Sequence, residues 1–428
     1  MRHGLGNHLK IQRCVLRWFP GSHPFPLAIP RILWHQDAIM NLHSIQNALH
    51  SEACHGWLIY DFRGSNPILQ QFIPGNRFST RRVYLWIPLT GQPSLVLHSV
   101  DRVAFRDVDL PVIEYGSWQR MQAILRGLLG GRVAMEYSPM GELPAVSYAD
   151  AGIIEFIRSI GVDVVSSANL IQLTIARWST DALRAHLRAG DVTAEAMRGA
   201  FDLIRRRLES HEHVDEFQVQ QFILDQFRIN RLETVDPPIV AVNGHGGDPH
   251  FEVSAKNPAP IHPGDWVLID LWARVPGDDN VYSDITWVGY CGRDVPEKHR
   301  QAYEAVKAAR DASFQCAKEA WDSGAPVQGW QLDEAARQVF ITTGYEPNIR
   351  HRTGHSLSPG PKVHGLGMNL DNLETRDTRL MLPGIGFTIE PALYFPDFGV
   401  RSEINVFVDP KDGPIVTSSF QTDVERLG

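Results

Sequence analysis

The sequence predicts a mixed α/β protein built from two domains. Its 428 residues exceed what one hydrophobic core usually supports. The 28 prolines and 35 glycines supply many turns, which favours a mixed α/β protein over a helical bundle. Short β-rich runs alternate with helical segments between about residues 40 and 170, whereas long helices precede a stretch of strands further on. We therefore expect one domain over 40–172 and a second over 173–428.

The first 36 residues contain no Asp or Glu and carry five Lys or Arg. Acid-poor basic starts are typical of targeting leaders. Gly and Pro interrupt this segment, however, and it lacks an apolar core with a small-residue cleavage site. We expect residues 1–39 to be an extension that is disordered or lies upstream of the true start of the protein.

The region 40–172 contains the elements of a compact α/β domain. GWLIYDF, RRVYLWIPL and PSLVLHSV are β-rich runs, and TGQP between the last two predicts a hairpin turn. SWQRMQAILRGLLGG predicts an amphipathic helix that ends in glycines. RVAMEYS and VDVVSS predict further strands on either side of a helix in SYADAGIIEFIRSIG.

Four helices are predicted in the region 173–428. Ser179 is a plausible N-cap for the first, whose apolar residues recur at three- and four-residue spacing. The expected buried face comprises Leu183, Leu187, Ala194, Met197, Phe201, Ile204 and Leu208. VDEFQVQQFILDQF and QLDEAARQVFITTG predict two more helices, and another is expected between Pro296 and Gly324.

Charge and cysteine usage exclude several classes of protein. A net charge of −8 argues against general affinity for nucleic acid or anionic membranes. The longest apolar runs fall short of the roughly 20 residues that a membrane helix needs. The four cysteines are scattered without a CxxC pair, which is typical of thiols in a reducing compartment. We expect a cytoplasmic protein that binds neither nucleic acid nor membranes.

Five side chains suited to metal binding follow one another along the last third of the chain: Asp270, Asp284, His355, Glu390 and Glu403. Each lies in or beside a strand-like segment. A carboxylate in an apolar segment such as FTIEPAL is costly to bury unless a cation or donor pairs with it. Four carboxylates and one imidazole suit a pair of divalent cations better than one structural zinc ion. This ligand set favours manganese, with cobalt, iron or zinc as alternatives.

In this order and in these contexts, the chain resembles the pita-bread metallopeptidases, which include methionine aminopeptidase, aminopeptidase P and prolidase. The resemblance covers nearly everything after about residue 40. The region 40–172 is similar to the creatinase/prolidase N-terminal domain, which methionine aminopeptidases lack, and this narrows the match to the Xaa-Pro branch. Creatinase shares the fold without the metal ligands, whereas all five positions are filled here. A metal-dependent peptidase is therefore favoured.

The resemblance implies that Asp284 and Glu403 bridge two divalent cations. Asp270 would bind one cation, while His355 and Glu390 would complete the other. A hydroxide between the cations would attack an Xaa-Pro bond in a dipeptide or at a peptide N-terminus. Glu390 would also accept a proton from the attacking water.

The resemblance also assigns roles to three histidines and an arginine. His250 would face the scissile bond, and His364 would stabilise the tetrahedral intermediate. His351 would lie near the proline side of the substrate. Arg401 could hold a substrate carboxylate or orient Glu403. The family usually forms homodimers, and we expect the turn Asp61-Phe62-Arg63-Gly64 to reach the active site of the partner.

Several departures from the family pattern border the expected substrate pocket. The segment RVPGDDNVY between the first two ligands is longer than usual. Ser356 follows the liganding histidine where glycine is usual, and Pro359-Gly360-Pro361 is inserted soon afterwards. Trp287 replaces an arginine. Because of these departures, the sequence does not decide whether the substrate contains an Xaa-Pro bond.

Two other functions remain open from the sequence. One is a creatinase-like amidinohydrolase, which would hydrolyse a C–N bond with histidine instead of metal. The other is a non-catalytic pita-bread protein that grips a partner. The complete ligand set counts against both.

Overall fold

The computed structural model describes residues 42–73, 77 and 79–428. The predicted extension over residues 1–39 lies outside this part of the chain, and the predicted division at residue 172 stays a prediction. No helix among the described residues is both long enough and apolar enough to cross a membrane.

A six-stranded sheet with the order β4-β3-β2-β1-β5-β6 comes first. Its strands are β1 (Gly56–Phe62), β2 (Arg82–Pro88), β3 (Ser94–His98), β4 (Val112–Tyr115), β5 (Arg132–Met135) and β6 (Asp163–Ser166). The helices of this region are α1 (Leu42–Ser51), α2 (Pro67–Phe72), α3 (Trp118–Leu128), α4 (Ala151–Ser159) and α5 (Ala168–Thr174). The predicted TGQP hairpin is confirmed, because it joins the antiparallel strands β2 and β3. Apolar clusters cover both faces of this sheet.

The rest of the chain places four long helices around two four-stranded sheets and one two-stranded sheet. The helices are α6 (Thr180–Glu209), α7 (Glu216–Ile229), α8 (Glu297–Ser323) and α9 (Gly329–Thr343). The first five strands are β7 (Ile239–Val242), β8 (Trp266–Ala273), β9 (Ser283–Tyr290), β10 (Ser356–Leu357) and β11 (Gly386–Ile389). The last five are β12 (Ala392–Tyr394), β13 (Gly399–Arg401), β14 (Ile404–Asp409), β15 (Gly413–Val416) and β16 (Glu425–Arg426).

The predicted N-cap of α6 and both predicted ends of α8 are confirmed, whereas α3 ends at Leu128, before the glycines expected to end it. The Ser179 hydroxyl accepts a hydrogen bond from the backbone N–H of Ala182, which caps α6. Pro296 immediately precedes α8 and Gly324 ends it with φ 67°, a left-handed conformation that glycine adopts without steric cost.

Alternation along the strands separates an apolar face from a polar one. In β8, Val267, Ile269 and Leu271 pack against α6 and α7. Asp270 lies on the opposite face, because successive side chains of a strand point to opposite sides of the sheet. The second four-stranded sheet, ordered β10-β11-β14-β15, follows the same rule, with Phe387 and Val406 packed beneath α8. The polar faces of the two sheets are thereby left to build a site.

The buried face of α6 differs from the prediction at its beginning. Leu187 was expected on that face, but its side chain is 42% exposed. The fully buried residue is its neighbour His186, and Gly190 follows one turn later. Here the helix packs on polar groups, with the Thr193 hydroxyl 3.0 Å from the Ser283 hydroxyl at the start of β9. A close polar contact needs small side chains, so the apolar spacing misplaces the face by one residue.

His186 provides a test of this packing. Its Nδ1 lies 2.8 Å from the Tyr282 carbonyl oxygen, and its Nε2 lies 2.8 Å from the Thr417 hydroxyl. Burial lowers the pKa of His186 to about 4. The unfolded chain therefore binds the proton more tightly, and stability is lost as the pH falls below about 6.5.

We expect the free energy of unfolding to fall by roughly 2 kcal/mol more in the wild type than in His186→Gln between pH 7 and pH 5. Urea denaturation of metal-free protein at the two pH values measures the difference. Parallel pH dependence in the two proteins would contradict a neutral, buried imidazole.

Candidate metal centre

Three of the five predicted ligands form a tight buried cluster. One ligand atom each from Asp284, His355 and Glu403 lie within 4.8 Å of one another. Asp270 and Glu390 extend this cluster on either side. Glu390 contacts His355, and its side chain is 14% exposed, more than that of Asp270 or Asp284.

Strands β8 and β9 position the two aspartates. Their antiparallel register pairs Asp270 with Thr286 and Trp272 with Asp284, so these four residues share one face of the sheet. The Thr286 hydroxyl lies 2.9 Å from Asp270 Oδ1 and 2.8 Å from Glu403 Oε2. Thr286 thus links the first and last ligands of the sequence.

Strands β11 and β14 position the two glutamates. Ile389 pairs with Ile404 at the end of their ladder, and Glu390 and Glu403 lie one residue beyond this pair. Asn405 joins the two sheets, since its Oδ1 accepts from the backbone N–H of Asp284 at 2.9 Å. The carboxylates from the two sheets therefore meet across a fixed gap.

His355 approaches the cluster from the start of β10. A side chain at Gly354 would place its Cβ 2.1 Å from the Thr388 carbonyl oxygen, so only glycine allows this close approach. His355 Nε2 lies 3.4 Å from Asp284 Oδ2 and 3.4 Å from Glu390 Oε1. Its Nδ1 lies 3.1 Å from the Ser356 carbonyl oxygen, which can only accept a hydrogen bond. This contact assigns the proton to Nδ1 and leaves Nε2 for a metal ion.

Burial and crowding perturb the ligands strongly. Burial raises the pKa of Asp270 to about 7, although the Arg401 guanidinium opposes the shift. Burial also raises the pKa of Asp284, and it raises the pKa of Glu403 well above its usual range with help from the neighbouring carboxylates. For His355, burial lowers the pKa, but the contact with Asp284 outweighs it and the net shift is upward. The four carboxylates thus carry more negative charge than the neighbouring side chains Arg401 and His355 balance.

The donor set fits divalent cations. Within the described part of the chain, no hydrogen-bond donor reaches the buried Oε1 of Glu403. A buried carboxylate oxygen without a partner is costly, and a coordinated cation would satisfy it. Oxygen ligands with a single imidazole suit hard or borderline divalent ions.

Arg401 lies at the edge of the cluster. Its guanidinium donates to Asp270 Oδ2 and, through Nε, to the Thr286 hydroxyl at 2.9 Å. A third contact joins Nη1 to the Tyr394 hydroxyl at 3.2 Å. Arg401 therefore pairs most closely with Asp270, and its Nε also lies 4.0 Å from Glu390 Oε2.

His351 belongs to the same chain of contacts. Its Nε2 lies 2.8 Å from the Tyr394 hydroxyl, and its Nδ1 lies 2.6 Å from the Arg352 carbonyl oxygen. Since the carbonyl only accepts, Nδ1 carries the proton and Nε2 accepts from Tyr394. Burial lowers the pKa of His351, which favours this neutral form.

His364 and His250 occupy the open side of the site. The ring of His364 lies 4.2 Å from that of His355, measured between centroids. The charge of His355, followed by burial, lowers the pKa of His364 to about 3. His250 is exposed on the loop after β7, and its charge also contributes to the lowered pKa of His364.

Three residues of the site escaped the sequence analysis: Thr286, Tyr394 and Asn405. Thr286 and Asn405 each lie two positions after a predicted ligand, on the same face of the same strand or strand edge. The period of two could have identified both residues. Tyr394 offers a weaker signal, a hydroxyl-bearing side chain in an apolar run.

The profile of metallopeptidase family M24 matches residues 184–410, which is more than half of the chain. The chain belongs to metallopeptidase family M24. The matched range contains all five predicted ligands.

Named relatives are more distant. The chain is 24% identical over 362 residues to the probable dipeptidase PepE of Mycobacterium tuberculosis, covering 80% of this chain and 86% of that protein. It is 24% identical over 310 residues to an Xaa-Pro dipeptidase of Pyrococcus furiosus, covering 72% of this chain and 78% of that protein.

Solved structures confirm the predicted fold class. Dipeptidase PepE from Mycobacterium ulcerans aligns with a TM-score of 0.64 at 22% identity, covering 90% of this chain and 96% of that one. A prolidase from Thermococcus sibiricus aligns with a TM-score of 0.62 at 19% identity, covering 92% and 100%. The fold is a pita-bread domain preceded by a prolidase-type N-terminal α/β region.

The crowding of buried acids predicts an unusual response to mutation. In metal-free protein at pH 8, Glu403→Gln should raise the free energy of unfolding by about 1–3 kcal/mol, because it removes one buried charge from the cluster. The sign follows from the raised pKa of Glu403, which makes ionisation at high pH destabilising. Urea denaturation with chelator measures the effect, and the exposed Glu155→Gln is the matched control. Destabilisation by Glu403→Gln would contradict the charge argument.

Metal binding should release protons near neutral pH. The pKa of Asp270 is about 7 and that of Glu403 is also raised, whereas both must be ionised to bind a cation. We expect the apparent affinity for Mn²⁺ to rise from about pH 6 to pH 8. Titration calorimetry in two buffers of different ionisation enthalpy measures the released protons, and equal heats in both buffers would rule out their release.

Proposed function

We propose that this M24 protein is a metal-dependent peptidase that hydrolyses the Xaa-Pro bond of dipeptides. The observation that carries the proposal is the buried cluster of Asp284, His355 and Glu403, in which one oxygen of Glu403 lacks a donor among the described residues. Asp270 is linked to this cluster through the Thr286 hydroxyl, and Glu390 lies 3.4 Å from His355. The names of the relatives, dipeptidase and Xaa-Pro dipeptidase, support a dipeptide substrate.

Two divalent cations are proposed for the site. Asp284 and Glu403 would be shared between them, with Asp270 on one side and His355 and Glu390 on the other. When bound, the cations supply an acidified water and polarise the peptide carbonyl. We propose manganese as the native ion, with cobalt, iron or zinc as alternatives, because the ligands are mainly oxygens.

Glu390 is proposed to accept the proton of the attacking water. Burial raises its pKa, but the charges of His355 and Arg401 outweigh this effect and the net shift is downward. Glu390 is therefore ionised at neutral pH and ready to act as a base. The Thr388 hydroxyl, 3.1 Å from Glu390 Oε1, fixes the carboxylate.

His364 is proposed to stabilise the oxyanion of the tetrahedral intermediate. The His364 ring lies 4.2 Å from that of His355 between centroids, and a neutral imidazole carries a proton on one nitrogen that it can donate. His250 is proposed to contact the substrate from the opposite loop, where it is exposed.

A small depression beside the metal centre is proposed to lie against the proline side of the substrate. Its apolar lining includes Ile239, Pro249 and Leu268, and its polar lining includes Asp248, Tyr394 and Arg401. A rigid pyrrolidine ring fits apolar walls, and its missing N–H leaves no donor to satisfy there. Arg401 would then face the carboxylate end of the dipeptide, and His351, whose two ring nitrogens contact the Arg352 carbonyl and the Tyr394 hydroxyl, would act on this side of the substrate through Tyr394.

Two further properties are proposed from the family resemblance and the composition. We propose a homodimer in which the Asp61–Gly64 turn reaches the partner's site. A cytoplasmic location is proposed from the scattered cysteines, of which Cys54 and Cys291 are buried.

Hydrolysis of paired substrates tests the function. The manganese-loaded protein should cleave a dipeptide such as Ala-Pro and lose this activity on chelation, because the cations activate the water. Glu390→Gln should lower kcat by at least about 100-fold while the protein still binds manganese, since the base is removed and an amide oxygen remains. The released proline is quantified by chromatography.

The controls separate neighbouring activities. Cleavage of Ala-Pro-Ala as fast as Ala-Pro would indicate an aminopeptidase P instead. Cleavage of Ala-Ala at an equal rate would remove the proposed proline specificity. Activity that survives chelation and complete metal removal would overturn the metallopeptidase proposal.

A further inference from the structure

Two sequence features that the proposed function leaves unexplained contact each other. One is the long loop 274–282 that joins β8 to β9, and the other is the turn 359–363 that precedes His364. The contact between them is made by Arg274 and Tyr282, at the two ends of the long loop.

Arg274 holds the turn through its backbone. The Arg274 side chain is 6% exposed, and its Nη1 donates to the Gly360 carbonyl oxygen. Its Nε donates to Glu233 Oε1 at 2.7 Å, while the backbones of Arg274 and Glu233 exchange two hydrogen bonds of 2.9 Å. The guanidinium is therefore held by Glu233 on one side and donates to the turn at Gly360 on the other.

Tyr282 adds a second connection. The Arg274 guanidinium carbon lies 5.2 Å from the centroid of the Tyr282 ring, within reach of a cation–π interaction. The Tyr282 hydroxyl donates to the Pro361 carbonyl oxygen at 3.4 Å. Val363 packs against the apolar cluster that contains Tyr282. The base of the long loop is itself anchored by His186 on the Tyr282 carbonyl.

The far end of the turn carries His364. The backbone N–H of Gly365 donates to the Ser356 carbonyl at 2.7 Å, which ties this end to β10. The turn between these anchors contains Gly360 at φ 143°. Because glycine adopts many backbone conformations, this residue does little to hold the turn in one of them. The Leu366 N–H also donates to the Ser358 hydroxyl at 3.0 Å across the two ends of the turn. The contacts that hold residues 359–363 add to this closure in setting the position of His364 beside His355.

We propose that Arg274 is a positioning residue that holds His364 over the metal centre through the Gly360 carbonyl. Its planar guanidinium donates in two directions at once, toward Glu233 and toward Gly360, which a lysine ammonium on a flexible stem reproduces poorly. The kinetic part of this inference rests on the proposed peptidase activity, whereas the structural part does not.

Hydrogen–deuterium exchange tests the structural part in manganese-loaded protein. In Arg274→Met, the backbone amides of Gly365 and Leu366, which donate to the Ser356 carbonyl and the Ser358 hydroxyl, should exchange at least about ten-fold faster, because a charge-assisted hydrogen bond to the turn is lost. Arg274→Lys should give an intermediate rate. Glu233→Gln is a milder variant at a half-exposed position and should accelerate the same amides if Arg274→Met fails to fold. The exposed Arg228→Met is the matched control and should leave these amides unchanged.

A double-mutant cycle tests the kinetic part. Arg274→Met should lower kcat for Ala-Pro by about 10- to 100-fold with little change in KM, because misplacing a group that acts in the transition state costs this much. In a His364→Ala background, the same substitution should add less than about three-fold, since the two residues act through one contact.

The outcomes separate this inference from the proposed function. Unchanged exchange at Gly365 and Leu366 in folded Arg274 and Glu233 variants would overturn the positioning role. Fully additive effects of Arg274→Met and His364→Ala on kcat would also overturn it. Absence of Ala-Pro hydrolysis in the wild type would instead count against the proposed function, and the exchange experiment would still decide the role of Arg274.

Discussion

The mutual repulsion of buried carboxylates is the constraint on which this structure depends. Asp270, Asp284, Glu390 and Glu403 converge from two sheets into a space where water is scarce. Ionised groups in such a space repel one another strongly, and burial alone opposes their charge. The surrounding fold must therefore hold them together against this repulsion. Two sheets, each backed by a pair of long helices, supply the necessary apolar packing on their outer faces.

Neutral and cationic neighbours moderate the repulsion without removing it. Arg401 pairs with Asp270, and the Thr286 hydroxyl connects Asp270 with Glu403. Asn405 locks the two sheets through the backbone of Asp284 on both its oxygen and its nitrogen. These contacts fix the positions of the carboxylates while leaving one oxygen of Glu403 without a donor from the described residues. Rigid ligands and an unsatisfied charge together favour cations over protons as occupants.

The sequence allowed the fold class, the long helices and the strand placement of the ligands to be predicted. Carboxylates in apolar strands carry a strong signal, because few other reasons exist to place them there. The face of α6 near Leu187 was predicted wrongly, since periodicity reports apolar residues and cannot show that polar His186 finds two partners inside. Tyr394 was missed for a related reason. One partner of its hydroxyl, Arg401, lies on the paired strand β13, but the other, His351, comes from a segment 43 residues earlier, and their meeting depends on tertiary packing.

The order of the strands along the chain has a consequence for folding during synthesis. The site draws on β8 and β9 and on segments beside β10, β11 and β14, and the final strand, β16 (Glu425–Arg426), completes the sheet beside β9. A nascent chain emerging from the ribosome thus carries its aspartates long before the glutamates that join them. The four acids can therefore meet only after Glu403 has been synthesised, and a cation that needs ligands from both sheets can bind no earlier.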